Sequence, residues 1–312
     1  MRLKASFLDS VIDTVHINFD TQSLWVLNVA LALVMYGIAL EIDLSDFKAL
    51  SKKPKLVLTG VFSQFVALPA VTFALVWMVE PQASMAMGMF MVAACPGGNV
   101  SNFFTHLAKG NTALSVTLTA IATLLAVVMT PFNLGFWGSL YPPSAEILQQ
   151  VSIAPAEMIR LVALLLGVPL VLGMVVNRYR PRLAARMAKG FKIGSLLFFI
   201  ALVFLALHKN RDIFLDYVFY VFWLVLLHNL VAFLTGFSLA KFMGFSKDNV
   251  RCITMETGIQ NSGLGLLLIF TFFDGLGGMA LLTAFWGIWH LVSGMVLGSF
   301  WGYRPLENKE LV

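Results

Sequence analysis

Nine stretches of this 312-residue chain stay apolar over the roughly 20 residues that a helix needs to cross the hydrocarbon of a bilayer. They fall near 23–41, 56–79, 84–107, 112–140, 158–177, 191–207, 214–240, 250–273 and 279–302. A chain segment in lipid must satisfy its backbone within itself, and blocks of this length do so as α-helices. Composition agrees: 59% of residues are apolar and only 12% charged, too little polar surface for a water-soluble chain of this size. Cys95 and Cys252 both fall inside apolar blocks, so no disulfide framework is expected. The expected fold class is therefore an all-α polytopic membrane protein with about nine transmembrane helices.

Residues 1–22 do not read as a span. Leu3, Phe7, Leu8, Val11, Ile12 and Val15 lie opposite Asp9, Ser10 and Asp13, the pattern of an amphipathic helix on a membrane surface. Its acids argue against a cleavable signal peptide. With nine spans the loops alternate sides, and the 21 Lys and Arg divide 16 to 5 between them. The richer side holds Lys48, Lys52, Lys53, Lys55 and Lys109, then Arg178 through Lys192, then Lys241, Lys247, Arg251, Arg304 and Lys309. Excess Lys and Arg mark the cytoplasmic side, so the N-terminus is expected outside and the C-terminus in the cytoplasm, in the plasma (cell inner) membrane. Spread through short loops in this way, the net charge of +5 forms no nucleic-acid-binding face.

Of 16 acids, only Glu256 lies well inside a span. An ionised acid at a helix centre costs roughly 2.5–3.5 kcal/mol, so it calls for a partner, and no Lys or Arg is expected mid-span. A bound cation is the reading that answers this; a protonated Glu bonded to a neighbouring helix and a proton relay are the alternatives. Glu256 opens the run Glu256-Thr257-Gly258-Ile259-Gln260-Asn261-Ser262-Gly263, and the third span carries a similar one, Pro96-Gly97-Gly98-Asn99-Val100-Ser101-Asn102. Pro and Gly interrupt helices, and non-helical backbone at membrane depth persists only when buried in protein or lining a cavity. Close packing of small residues would explain the glycines but not the asparagines, Ser101 and Gln260. The broken spans are the third and the eighth, an odd separation that sets them in opposite directions, as inverted repeats require. Gln64-Phe65-Val66-Ala67-Leu68 in span two is echoed by Asn229-Leu230-Val231-Ala232-Phe233 in span seven, in the same register.

Three stretches then carry a resemblance: Ala94-Cys95-Pro96-Gly97-Gly98 with Val100-Ser101-Asn102; Ala108-Lys109-Gly110-Asn111-Thr112-Ala113-Leu114-Ser115-Val116; and Glu256 to Gly263. The chain resembles the bile acid:sodium symporter family from about Met35 to Trp301. The resemblance implies two crossing broken helices in a core domain that moves against a panel domain. In this sequence the division is 23–79 and 158–207 for the panel and 80–140 and 208–302 for the core, with breaks at 96–102 and 257–263 and a cytoplasmic tail at 303–312. It also implies two sodium sites. The first would use Ser101, Asn102, Ser115, Thr119 and Glu256; the second Gln64, Glu256, Gln260 and the carbonyls of Thr257 and Ile259. A hard cation wants several oxygen ligands, and Ser115 and Thr119 share one helix face. Substrate contacts are expected at Asn99, Asn261 and His290.

The implied function is sodium-coupled uptake of an organic anion by alternating access, the anion being bile-acid-like or a small carboxylate such as pantoate or a keto acid. The family pattern has Thr where Asn99 stands, Asn where Leu291 follows Trp289-His290, and Pro at Val127. Two of these differences adjoin the expected substrate site and leave the anion open. A cation/proton antiporter or an oxyanion exporter of similar architecture is the alternative. An enzyme is not expected, since no zinc or phosphate-cradling motif and no pair of mid-span Asp residues occurs, leaving only a Ser101–His228 dyad to consider. His228 and His290 are otherwise expected to pair with neighbouring helices.

Overall fold

A computed structural model describes residues 29, 32–42, 52–98, 100–151, 160, 163–209 and 211–303. The expected surface helix at 1–22, Asn99 and the tail from 304 onward lie outside the described residues. In chain order the helices are α1 (32–39), α2 (Pro54–Val79), α3 (Ala83–Ala94), α4 (Val100–Leu107), α5 (Thr112–Leu140) and α6 (Pro142–Val151). They continue as α7 (Val168–Tyr179), α8 (Pro181–Lys209), α9 (Arg211–Phe242), α10 (Lys247–Gly258), α11 (Ser262–Phe272) and α12 (Gly277–Tyr303). Among the described residues four segments, Pro54–Val79, Thr112–Leu140, Phe219–Phe242 and Gly277–Tyr303, are long and apolar enough to cross a membrane; α3, α7 and α11 are shorter apolar helices.

Both expected breaks are present, and they are shorter than the composition implies. The chain turns extended at Cys95 and at Ile259, and helix resumes by Val100 and at Ser262. Ser101, Asn102 and Thr257 are thus helical, and the second break is reduced to Ile259–Asn261. The Asn261 side chain explains the quick restart: its carbonyl caps α11 by accepting from the Leu264 N–H at 3.0 Å. The two breaks run antiparallel against each other. Gly98 N–H donates to Ile259 O at 3.2 Å and Asn261 N–H donates to Pro96 O at 2.9 Å. Each break therefore supplies the partners that the other lost, which lets extended backbone sit among apolar helices. Gly97 suits the close approach there, because a Cβ would lie 3.0 Å from Glu256 Oε2 and 3.1 Å from its backbone oxygen and would press on both. Gly258 is required, since a Cβ would meet the Phe233 ring at 2.1 Å.

The crossing lies at the centre of the packing. Every residue of α3 from Ser84 to Ala94 is buried, as is α10 from Val250 to Gly258. A helix apolar all round must be enclosed on all sides, and α3 is packed by α2, α5 and α12. Outward faces are apolar as well: Trp77, Phe132, Phe136, Trp223 and Val296 are exposed. Polar residues inside and apolar residues outside is the distribution a lipid solvent imposes.

Helix α2 contains a π-turn at Ser63–Ala67 that turns Gln64 inward. Pro69 lacks the N–H that would bond back to Phe65, and Asn133 from α5 supplies the missing donor to Phe65 O at 3.0 Å. Two readings of the loops change. A helix, α6, occupies part of the expected 140–158 loop. The basic stretch expected as the loop 178–192 is helical from Pro181, where proline's fixed φ starts a helix at a position that needs no donor.

Candidate functional site

Glu256 projects from the last turns of α10 into a ring of hydroxyls. Ser101 of α4 donates to Glu256 Oε1 at 2.5 Å, and Ser115 of α5 also donates to Oε1. Thr119, one turn along α5, reaches Oε1 at 3.3 Å and Oε2 at 3.0 Å. Asn102 closes the ring, its Oδ1 lying 2.8 Å from Ser115 Oγ and 3.2 Å from Thr119 Oγ1. All five residues expected at the first cation position meet here, Asn102 partly buried and the others buried.

Counting protons gives the chemistry of this ring. Ser115 has one hydroxyl proton but three acceptors within reach: Asn102 Oδ1, Thr105 Oγ1 at 3.2 Å and Glu256 Oε1. Thr119 has one proton for Asn102 Oδ1 and both carboxylate oxygens. Lone pairs outnumber protons around one point, the arrangement that a hard cation completes.

The residues expected at the second position behave differently. Gln64 donates to Cys95 O at 2.8 Å and to Gln260 Oε1 at 2.9 Å; Gln260 donates back to Gln64 Oε1 at 3.2 Å and to Thr257 O at 2.7 Å. All four amide protons have acceptors. Ile259 O accepts from Gly98, and the Glu256 carboxylate is directed into the hydroxyl ring. Of the expected substrate residues, Asn261 serves as the α11 cap. His290 is buried on α12 with no hydrogen-bond partner on Nδ1. His228 is paired to its neighbour α2, Nε2 lying 2.8 Å from Thr72 Oγ1. Ser101 and His228 thus have separate partners and form no dyad.

Several supporting residues are not evident from the sequence. Thr130 donates to Ala94 O at 2.8 Å, satisfying a carbonyl that the break in α3 leaves free. Asn229 donates to Gly258 O at 2.8 Å and accepts from Ser293 at 2.6 Å, anchoring the tip of α10 to α12. Asn229 stands where the echo of Gln64 places it, and both amides hold the carbonyl at the end of a half-helix. Arg251 reads as a span-end residue, yet it is only 7% exposed and its Nη1 donates to Ala108 O at 2.7 Å, just past the end of α4. Its guanidinium also lies 5.9 Å from the Trp301 ring centroid. One side chain therefore ties the half-helix bearing Glu256 to the half-helix bearing Ser101 and Asn102. A buried Arg at a helix terminus looks the same in sequence as one in a solvated loop.

An apolar exterior, enclosed half-helices and a polar crossing define a polytopic helical membrane protein built around discontinuous helices. Its sequence relationships give the family. The sodium bile acid symporter family profile matches residues 28–217. The chain is 32% identical to the sodium-dependent transporter YocS of Bacillus subtilis, over 94% of this chain and 88% of that one. It is 27% identical to the human sodium-dependent organic anion transporter (95% and 78% covered) and 27% identical to the human ileal sodium/bile acid cotransporter (91% and 81%). The chain belongs to the sodium bile acid symporter family, whose members are membrane transporters rather than enzymes.

Proposed function

We propose that this protein couples inward sodium movement to uptake of an organic anion by alternating access. The observation that carries the reading is the excess of lone pairs around Glu256, which a sodium ion would complete with oxygens of Ser101, Asn102, Ser115, Thr119 and the carboxylate. A second sodium would sit at Gln64, Gln260 and the Thr257 and Ile259 carbonyls once the paired amides part. Two sodium ions with one monoanion carry net +1 inward, worth about 2.3 kcal/mol per 100 mV of membrane potential. The anion, bile-acid-like or a small carboxylate, would bind beside the crossing near Asn99, Asn261 and His290.

In this reading nine segments cross the membrane as inverted repeats, with the N-terminus outside and the C-terminus in the cytoplasm. One assignment changes on packing grounds. Ser63, Gln64, Phe65 and Thr72 of α2 are all hydrogen-bonded to the crossing helices or to the helices beside them. We therefore place α2 with the moving unit and leave α1, α7 and α8 as the panel, where Tyr36 and Ala39 of α1 crowd Gly173 of α7 and Leu40 packs on Ala184 and Ala188.

The test is uptake of labelled organic anions into proteoliposomes under an imposed sodium gradient or, separately, a pH gradient. Sodium-driven uptake that Glu256→Ala abolishes is expected. Flux driven by pH alone would favour the antiporter reading, and unchanged sodium dependence in the variant would remove Glu256 from the mechanism.

A further inference from the structure

The turn between α7 and α8 carries a concentration of charge that the transport cycle does not use. From Met158 to Arg211 the sequence contains no acid. Arg178, Arg180, Arg182, Arg186 and Lys189 are all exposed. Because α8 begins at Pro181, Arg182, Arg186 and Lys189 fall at i, i+4 and i+7 and form one stripe. On another face of the same turns, Ala184 and Ala188 are buried against Leu40 of the α1 end. Glu41, which precedes the Ile42 whose carbonyl accepts from the Asn177 side chain at 2.9 Å, is exposed too.

What flanks the stripe identifies its partner. Val168, Val171, Leu172 and Val175 are exposed just before it, and Ile193 and Leu197 just after. At 1.5 Å per residue, Arg178 and Lys189 stand only about 4–6 Å along the helix axes from Val175 and Ile193. The polar layer of a bilayer is about 5–7 Å deep on each side, so the cations fall at headgroup depth when the valines and leucines meet hydrocarbon. Tyr179, 77% exposed between Arg178 and Arg180, suits the same depth. Guanidinium groups pair with phosphate through two parallel hydrogen bonds.

We propose that this hairpin binds the headgroups of anionic phospholipids in the leaflet it faces. The site is separate from the residues around Glu256, so it stands or falls apart from the sodium reading. The experiment uses the full chain, purified and placed in nanodiscs of phosphatidylcholine with or without phosphatidylglycerol. The comparison is the triple variant Arg182→Gln, Arg186→Gln, Lys189→Gln. Retained lipid is counted by native mass spectrometry, and melting temperature is followed with salt. Expected are preferential retention of phosphatidylglycerol and a melting temperature that it raises and salt lowers. In the variant both effects should weaken, by up to roughly fivefold in lipid preference for each cation removed. Equal retention of the two lipids, or an undiminished preference in a variant that melts as cooperatively as the parent, would overturn the proposal. That second outcome would direct attention to other basic residues or to a protein partner.

Discussion

Two clusters of polar side chains flank the crossing, and they differ in how their protons are shared. Around Glu256, Ser115 and Thr119 each face three acceptors with one proton apiece. Around Gln64 and Gln260, every amide proton has an acceptor and the two side chains pair reciprocally. The first cluster lacks positive charge and is already shaped as a ring, whereas the second is complete as it stands. A cation would enter the first by spreading oxygens now in hydrogen-bond contact and taking the place of their shared protons; at the second it would have to separate two amides and find new partners for their protons. The difference predicts an order of filling, with the Glu256 cluster first.

Removing ring oxygens without removing the acid should have the largest effect on this contrast. Thr119→Val keeps the shape and removes one of the proposed ligands, so sodium binding should weaken by about 10–100-fold, the scale on which single partners of a metal site act. Sodium-dependent protection in a thermal melt reads this directly, since a ligand of the folded state raises apparent stability. An unaltered sodium midpoint would break the contrast at its stronger end. Gln64→Ala attacks the other cluster. It removes the Gln64 partner of Cys95 O, of Gln260 Oε1 and of one Gln260 proton, which costs about 1–3 kcal/mol for each buried group left unsatisfied. The melting temperature should fall, and sodium activation of uptake should become less steep while the first site's midpoint holds. The Hill coefficient of the two variants, which can approach about 2 only when both sites act, separates them. Arg251→Gln is expected to act most mildly. It should weaken the Glu256 cluster selectively, by severalfold in sodium midpoint at unchanged anion KM under saturating sodium, with Arg251→Lys recovering part of the loss. Equal damage to sodium and anion would make Arg251 a general packing residue.

How much of this was legible depended on the range of the cause. The bounds of α5 and α12 nearly match the hydropathy blocks 112–140 and 279–302, because length and apolar content are local properties. The breaks were legible from Pro96, Gly97, Gly98 and Gly258, although Asn261 restarted its helix sooner than residue content implied. The π-turn that aims Gln64 and the helical course of the basic stretch after Pro181 were not legible, since each depends on packing that local propensity does not report.

The sequence by itself determined that the chain is helical and membrane-embedded, that two helices break, and that a single acid sits among them. Those follow from solvent: lipid demands internal hydrogen bonds, and exceptions stand out as polar residues in apolar blocks. Only the tertiary structure decided which oxygens converge. Ser101 and Glu256 are 155 positions apart, and Gln64 and Gln260 196, so their meeting depends on the antiparallel contact of the two breaks. The same contact separated a proton-poor ring from a paired set of amides. The sequence names the acid of one cluster and the two glutamines of the other, but which partner each proton finds follows only from how the helices bring them together.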